Sequence, residues 1–196
     1  MRKVLLALLF AMALVVVVAC WYVFVHGRSG TYYHPPERTQ TSGCVIVHAL
    51  PDPRCTPGGV DPTATKDAIC SRSTKEVRHV TESVERAVFF SYGVSRGDGV
   101  ARENDHVISL ELGGDNSIAN LFPQVYEDKA KLEAEELLDD ELGAHAKDKV
   151  ENWLHARVCH DELELADAQR MIATNWVAVY HAYIAYHHEH PVRRRK

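Results

Sequence analysis

The stretch from Glu103 to Pro123, ENDHVISLELGGDNSIANLFP, limits what this chain can fold into more than any other. Within it Ile108, Leu110 and Leu112 fall on one side and Ser109 and Glu111 on the other, and this period of two predicts a β-strand over HVISLEL. Gly113 and Gly114 come next; a glycine pair accepts positive φ and lets the chain reverse tightly. An asparagine-rich loop leads to NLFP, after which Tyr126, Ala130, Ala134, Leu137 and Leu138 recur at helical spacing until Gly143. Strand, turn, loop and helix in that order set Asp105 and His106 at the head of a compact unit.

The rest of the chain is mostly helical. Thr81 is a ready N-cap for TESVERAVFFSY, which shows Val84, Ala87 and Val88 on one face and stops at Gly93. A further helix carries Val150, Trp153, Leu154 and Val158, and another from about residue 166 turns Ala168, Ile172, Trp176, Val179 and Tyr183 inward. By contrast, LPDPRCTPGGVDPTATKDAIC is rich in proline and glycine and reads as irregular chain that needs a staple. The expected class is α+β, with one folded domain over residues 44–190.

The N-terminus is a separate matter. Arg2 and Lys3 precede an unbroken apolar run from Val4 to Val25, and about 20 such residues suffice for a helix to span a bilayer. Residues 1–26 are therefore expected to be a transmembrane anchor, with positive charge keeping the N-terminus cytoplasmic and the domain on the far side. VVAC ending at Cys20 offers the alternative of a lipoprotein processed at that cysteine. Residues 27–43, with their Gly, Ser, Pro and Thr, read as a linker, and residues 191–196 as an exposed basic tail.

Four of the five cysteines, Cys44, Cys55, Cys70 and Cys159, follow the apolar run, and an even count in an oxidising compartment points to two disulfides. Three pairings are open, and Cys55 with Cys70 is the one favoured across the turn-rich segment. The formal charge of −5 excludes a broadly basic duplex-coating protein, so any contact with nucleic acid has to be local. The C-terminal His187, His188 and His190 are read as an exposed tail without a catalytic role, and Trp153 and Trp176 as core.

On DHVISLELGG, NSIANLFP and a following helix with Lys129 and Lys131, the chain resembles the HNH, or ββα-metal, nuclease superfamily. CTPGGVDP, AIC, VRHV, ARVC and AQRMIATNW extend the likeness to a bacterial exported HNH-like family over most of residues 50–180. The resemblance implies a ββα-metal core and hydrolysis of phosphodiester bonds in nucleic acid, DNA being the expected partner. It implies that Asp105 ligates a divalent ion, that His106 is the general base and that Asn120 braces the loop and the histidine. A histidine suits the work because its ordinary pKa of about 6.5 leaves a proton-accepting imidazole at neutral pH.

One position departs from the family pattern. Where a second ligand is expected early in the helix this chain has Lys129, and an ammonium does not ligate. Gln124, Glu127 or Asp128 is then expected to complete the metal shell with oxygen, which favours Mg²⁺ over Mn²⁺ or Zn²⁺. Lys129, Lys131, Asn116 and Arg78 are the expected substrate contacts. The alternative reading is an inactive envelope or binding module that kept this fold.

Overall fold

The computed structural model describes residues 33–95 and 97–191. The expected anchor, Cys20 and residues 192–196 of the basic tail lie outside them. Among the described residues no helix is long and apolar enough to cross a membrane. The architecture of the described residues is α+β, with five α-helices and two small antiparallel sheets among them.

The first sheet pairs β1 (Ile46–Val47) with β2 (Leu50–Pro51). After it come α1 (Lys66–Ser71) and α2 (Glu82–Ser91). Thr65 and Thr81 cap them, each hydroxyl oxygen accepting from a backbone N–H that the first turn leaves without a partner. β3 (Arg102–His106) and β4 (Leu121–Val125) form the second sheet, in a register that sets Asp105 opposite Phe122 and His106 opposite Leu121. α3 (Lys129–Ala134) is short, whereas α4 (Ala144–Cys159) and α5 (Leu165–Glu189) pack as a helical hairpin.

The core lies where this hairpin meets the second sheet. Val150, Leu154 and Val158 of α4, Ile172 and Trp176 of α5, and Ile108, Leu112 and Phe122 are all sealed from solvent. The Trp176 indole N–H donates to Ala49 O and so ties the β1–β2 ribbon to α5. Asn175, just before it, has non-helical φ and ψ; its side chain accepts from Ala178 N, capping the second half of a kinked helix. Residues 33–43 contain no helix or strand, but Thr39 and Gln40 donate to Arg54 O and Arg38 reaches Ser91 Oγ.

Two expectations for secondary structure are corrected. The strand ends at His106, and residues 107–120 form a folded loop with short 3₁₀ turns at Leu110–Leu112 and Ile118–Asn120. The long helix expected to reach Gly143 is only α3, because Glu135 takes a left-handed conformation with φ +59 and ends it.

The disulfide expectation is corrected too. Cys44 pairs with Cys55, and Cys70 with Cys159. The staple across the turn-rich segment therefore reaches back to Cys44, while Cys70 on α1 is fastened to the end of α4, a partner that sequence proximity does not suggest.

Candidate active site

The loop between β3 and β4 is built around one side chain. Asn120, with no exposed surface, accepts from Ile108 N at 2.9 Å and donates to Ile108 O at 3.0 Å and to Asp115 O at 2.9 Å. Its own carbonyl accepts from Val107 N. A neutral carboxamide can satisfy a strand-like partner on both its donor and its acceptor side, which is how this segment stays folded without a ladder. Gly114 is required there, since a Cβ would stand 1.8 Å from Ile108 O. Gly113 takes the left-handed turn at φ +74.

His106 therefore sits at a fixed point, the end of β3, where the loop begins. Its neighbour Asp105 accepts from His106 N through Oδ1 at 2.8 Å. The other oxygen, Oδ2, lies 2.9 Å from the ammonium of Lys147, one turn into α4. Lys147 is fully buried; it donates also to His106 O at 2.6 Å and to Glu151. Glu151 in turn accepts from Ser109 Oγ at 3.0 Å. A buried ammonium among two carboxylates and a carbonyl locks the helix onto the strand end.

An open cleft of about 250 Å³ lies over this network. Lys75, Arg78, Glu103, Asp105, His106, Glu111, Asp148 and Glu151 supply its charged and titratable lining. Burial raises the Glu103 carboxyl above its ordinary value, with Asp105 and Asp148 adding repulsion, although a hydrogen bond from Tyr126 opposes the shift. Asp148 is raised by burial and by Asp105. Burial also raises Glu151 above the usual carboxylate value, against the pull of Lys147. For Lys147, the two carboxylates outweigh burial and keep its pKa above the usual lysine value, so it remains charged.

The imidazole of His106 is almost enclosed, and burial pulls its pKa down to about 4, leaving it neutral at pH 7. Its tautomer follows from its neighbours. Asn116 donates through Nδ2 to Val77 O at 2.8 Å and accepts through Oδ1 from His79 N at 3.2 Å, which fixes the carboxamide. The Oδ1 atom facing His106 Nε2 at 3.3 Å is thus an acceptor, so Nε2 carries the proton. Nδ1 then holds the lone pair, and Arg78 Nη1 stands 3.3 Å from it while Nη2 donates to Asn104 O.

The residues expected at the site separate into two groups. Asp105, His106 and Arg78 line the cleft, and Asn116 holds the histidine ring from behind. Asn120 bonds the loop backbone and not the imidazole, the ring contact falling to Asn116 instead. Gln124 is buried away from the cleft lining. Glu127 accepts from His145 N and Ala146 N at the start of α4, and Asp128 caps α3. Lys129 is exposed on α3, and Lys131 pairs with Glu141.

Lys147, Asp148 and Glu151 were not anticipated. Their signal is the KDKVE spacing, which stacks Lys147 and Glu151 on one helical face. Outside the cleft, ligand atoms of Cys70, His155 and Cys159 lie within 4.8 Å of one another. With those cysteines joined in a disulfide, no thiolate is present to ligate a metal. The chain matches no protein-family model, no curated protein and no solved structure.

Proposed function

We propose that the cleft hydrolyses phosphodiester bonds of nucleic acid with the help of a divalent ion, as the resemblance to ββα-metal nucleases implies. The observation that carries this reading is the convergence of Asp105, His106 and Arg78 with Asp148 of α4 on one open cleft. The donor set suits a hard cation. Five carboxylates line the cleft against Lys75 and Arg78, with Lys147 beneath, which leaves two negative charges when all are ionised and His106 is neutral. Oxygen donors and a twofold charge deficit favour Mg²⁺, with Mn²⁺ as a substitute.

Asp105, with Asp148 and Glu103 at the rim, would hold the ion. When bound, it supplies a positive charge for the phosphate oxygens as negative charge builds up on them. The chain's own residues do the remainder. A substrate phosphate attracts Arg78, whose guanidinium is matched to phosphate oxygens, and draws it from His106. That frees Nδ1, the ring nitrogen without a proton, to accept one from the attacking water. Asn116 holds Nε2 and keeps the ring in this tautomer, while Lys147 prevents Asp105 from turning away.

We further propose that the domain works outside the cytoplasm, tethered through the Val4–Val25 run. Two disulfides are compatible with such a compartment.

The test is nicking of supercoiled plasmid by the purified full chain with Mg²⁺. Losing a positioned base lowers the rate by about 10² to 10⁴-fold, and His106→Ala is expected to fall in that range. Calorimetric titration with Mg²⁺ or Mn²⁺ is expected to give saturable heat that disappears in Asp105→Asn. A His106→Ala protein that nicks at the wild-type rate would refute the assignment.

A further inference from the structure

The formal charge of the whole chain is negative, yet its cations are not spread evenly. Arg72, Lys75 and Arg78 recur every third residue in RSTKEVR. Its second half is a helical turn: Glu76 N donates to Ser73 O, Val77 N to Thr74 O, and Arg78 N to Thr74 O. Lys75 and Arg78, three apart on so tight a turn, share one side, and Arg72 stands just before it in extended backbone. All three cations are exposed, and among the described residues none forms an ion pair.

These side chains front three adjoining hollows. Arg72 lines one of about 220 Å³. Lys75 lines the central cleft, and Arg78 lines both that cleft and a third hollow of about 420 Å³. The first and central hollows share Thr74, Leu110 and Glu111, while the central and third share Arg78 and Glu103. The run is therefore continuous, with Asp105 and His106 at its middle. Arg102 in the third hollow is already neutralised by Asp98 and is left out of the count.

We propose that Arg72, Lys75 and Arg78 form a rail for the backbone of an extended nucleic-acid strand, so that the cleft takes an internal phosphodiester and not a terminal phosphate or a small diester. The inference rests on the reading of the cleft as a phosphodiester hydrolase and adds to it the number and order of phosphates engaged. Two extended steps of about 3.3 Å from Arg72 and four of about 2 Å through the turn let the segment span at most about 15 Å. One strand of a duplex carries about four phosphates over that distance. Arg72 adds a third exposed cation to Lys75 and Arg78 along one edge, so a strand meets positive charge there although the lining as a whole stays acidic. A concave run of hollows suits a strand better than a flat anionic bilayer.

The experiment uses the full chain in non-ionic detergent, with His106→Ala to prevent cutting, and a fluorescein-labelled single-stranded 20-mer followed by anisotropy at several salt concentrations. Each phosphate contact with a single strand contributes about 0.7 to the slope of log K against log salt, or about fivefold in affinity at 0.1 M. Arg72→Ala and Lys75→Ala are each expected to weaken binding by about fivefold and to lower the slope by about 0.7, and the triple variant with Arg78→Ala by about a hundredfold. Arg170→Ala, which removes a cation already paired with Asp167 and lining none of the three hollows, is expected to bind as the parent does. Unchanged affinity and slope in the rail variants would overturn the proposal. So would rail-dependent binding to phosphatidylserine vesicles with no such dependence for the oligonucleotide. Rail-dependent binding without plasmid nicking by the wild-type chain would sink the hydrolase reading alone, whereas nicking without rail dependence would sink the rail alone.

Discussion

β4 is entered and left by two long connections that are held in opposite ways. Residues 107–120, before it, are fastened from inside: Asn120 makes its three bonds out of contact with water, and Ile108 and Leu112 are sealed in the core. Residues 126–143, after it, bury Glu127, Leu132 and Leu142, but the side chains between them are fastened from outside. His188 reaches Glu135, His181 reaches Asp139, His48 reaches Asp140 and Lys131 reaches Glu141, all at the surface. Buried hydrogen bonds have no competing water and fix geometry, whereas exposed ion pairs exchange readily with solvent. The first connection brings Ser109, Glu111 and Asn116 to the candidate site, and the second leads into α4, whose start Glu127 caps.

The sharpest way to break this comparison is to remove the internal brace. Asn120→Ala leaves Ile108 N, Ile108 O and Asp115 O without their partners in a dry setting, at a cost of about 4 kcal/mol. For a domain of this size that is a fall in Tm of about 10 °C, measurable by circular dichroism. A variant that melts with the wild type would mean that the loop is held by packing alone.

A second brace acts at the loop's exit and responds to pH. Thr56 Oγ1 donates to Leu121 O, so its contact with the Tyr92 hydroxyl at 2.7 Å requires Tyr92 to be the donor. Burial pushes the Tyr92 pKa up to about 12. The folded protein therefore holds this proton more tightly than the unfolded chain, whose tyrosine releases it near pH 10. The stabilisation is complete below about pH 10 and is lost as pH rises to about 12, at most about 3 kcal/mol. Urea midpoints measured across that window should decline in the wild type, and the decline should be shallower in Tyr92→Phe.

How far the sequence revealed this arrangement follows from the same contrast. Helices α2, α4 and α5 were legible because each presents an apolar face to one core and the first has Thr81 as its cap. The site strand was not. Its residues, Arg102 to His106, are all polar, since one edge of the network meets Lys147 and another meets Arg78, and neither contact leaves an apolar alternation to read. HVISLEL alternates for a different reason: Ile108 and Leu112 enter the core from a loop, while Ser109 turns to Glu151. The Lys147–Glu151 pair has the spacing of an ordinary surface pair, and only the packing of α4 against β3 makes it central. Asp105, His106 and Asn120 were legible as a motif, but Asn116 as the ring's partner required the fold.

The second connection yields smaller effects, graded by burial. Glu127 is its inner anchor, with a side chain wholly out of solvent that accepts from His145 N and Ala146 N and so caps α4. Glu127→Ala is expected to cost about 2 kcal/mol, the upper end for loss of a helix cap. Because α4 carries Lys147 and Asp148, the same change should also weaken Mg²⁺ binding at the cleft.

Farther along, the contrast predicts almost nothing. Lys131 and Glu141 are both exposed, so their attraction is screened and opposed by the entropy of ordering two long side chains. Lys131→Ala should leave the Tm unchanged within error at physiological salt, and raising the salt concentration should not separate variant from parent. A clear loss of stability would place this pair with the buried braces and erase the distinction between the connections. Equal stability, set beside the collapse expected of Asn120→Ala, would show that the outer ion pairs of the second segment, unlike Glu127 within it, contribute nothing to the fold or the site.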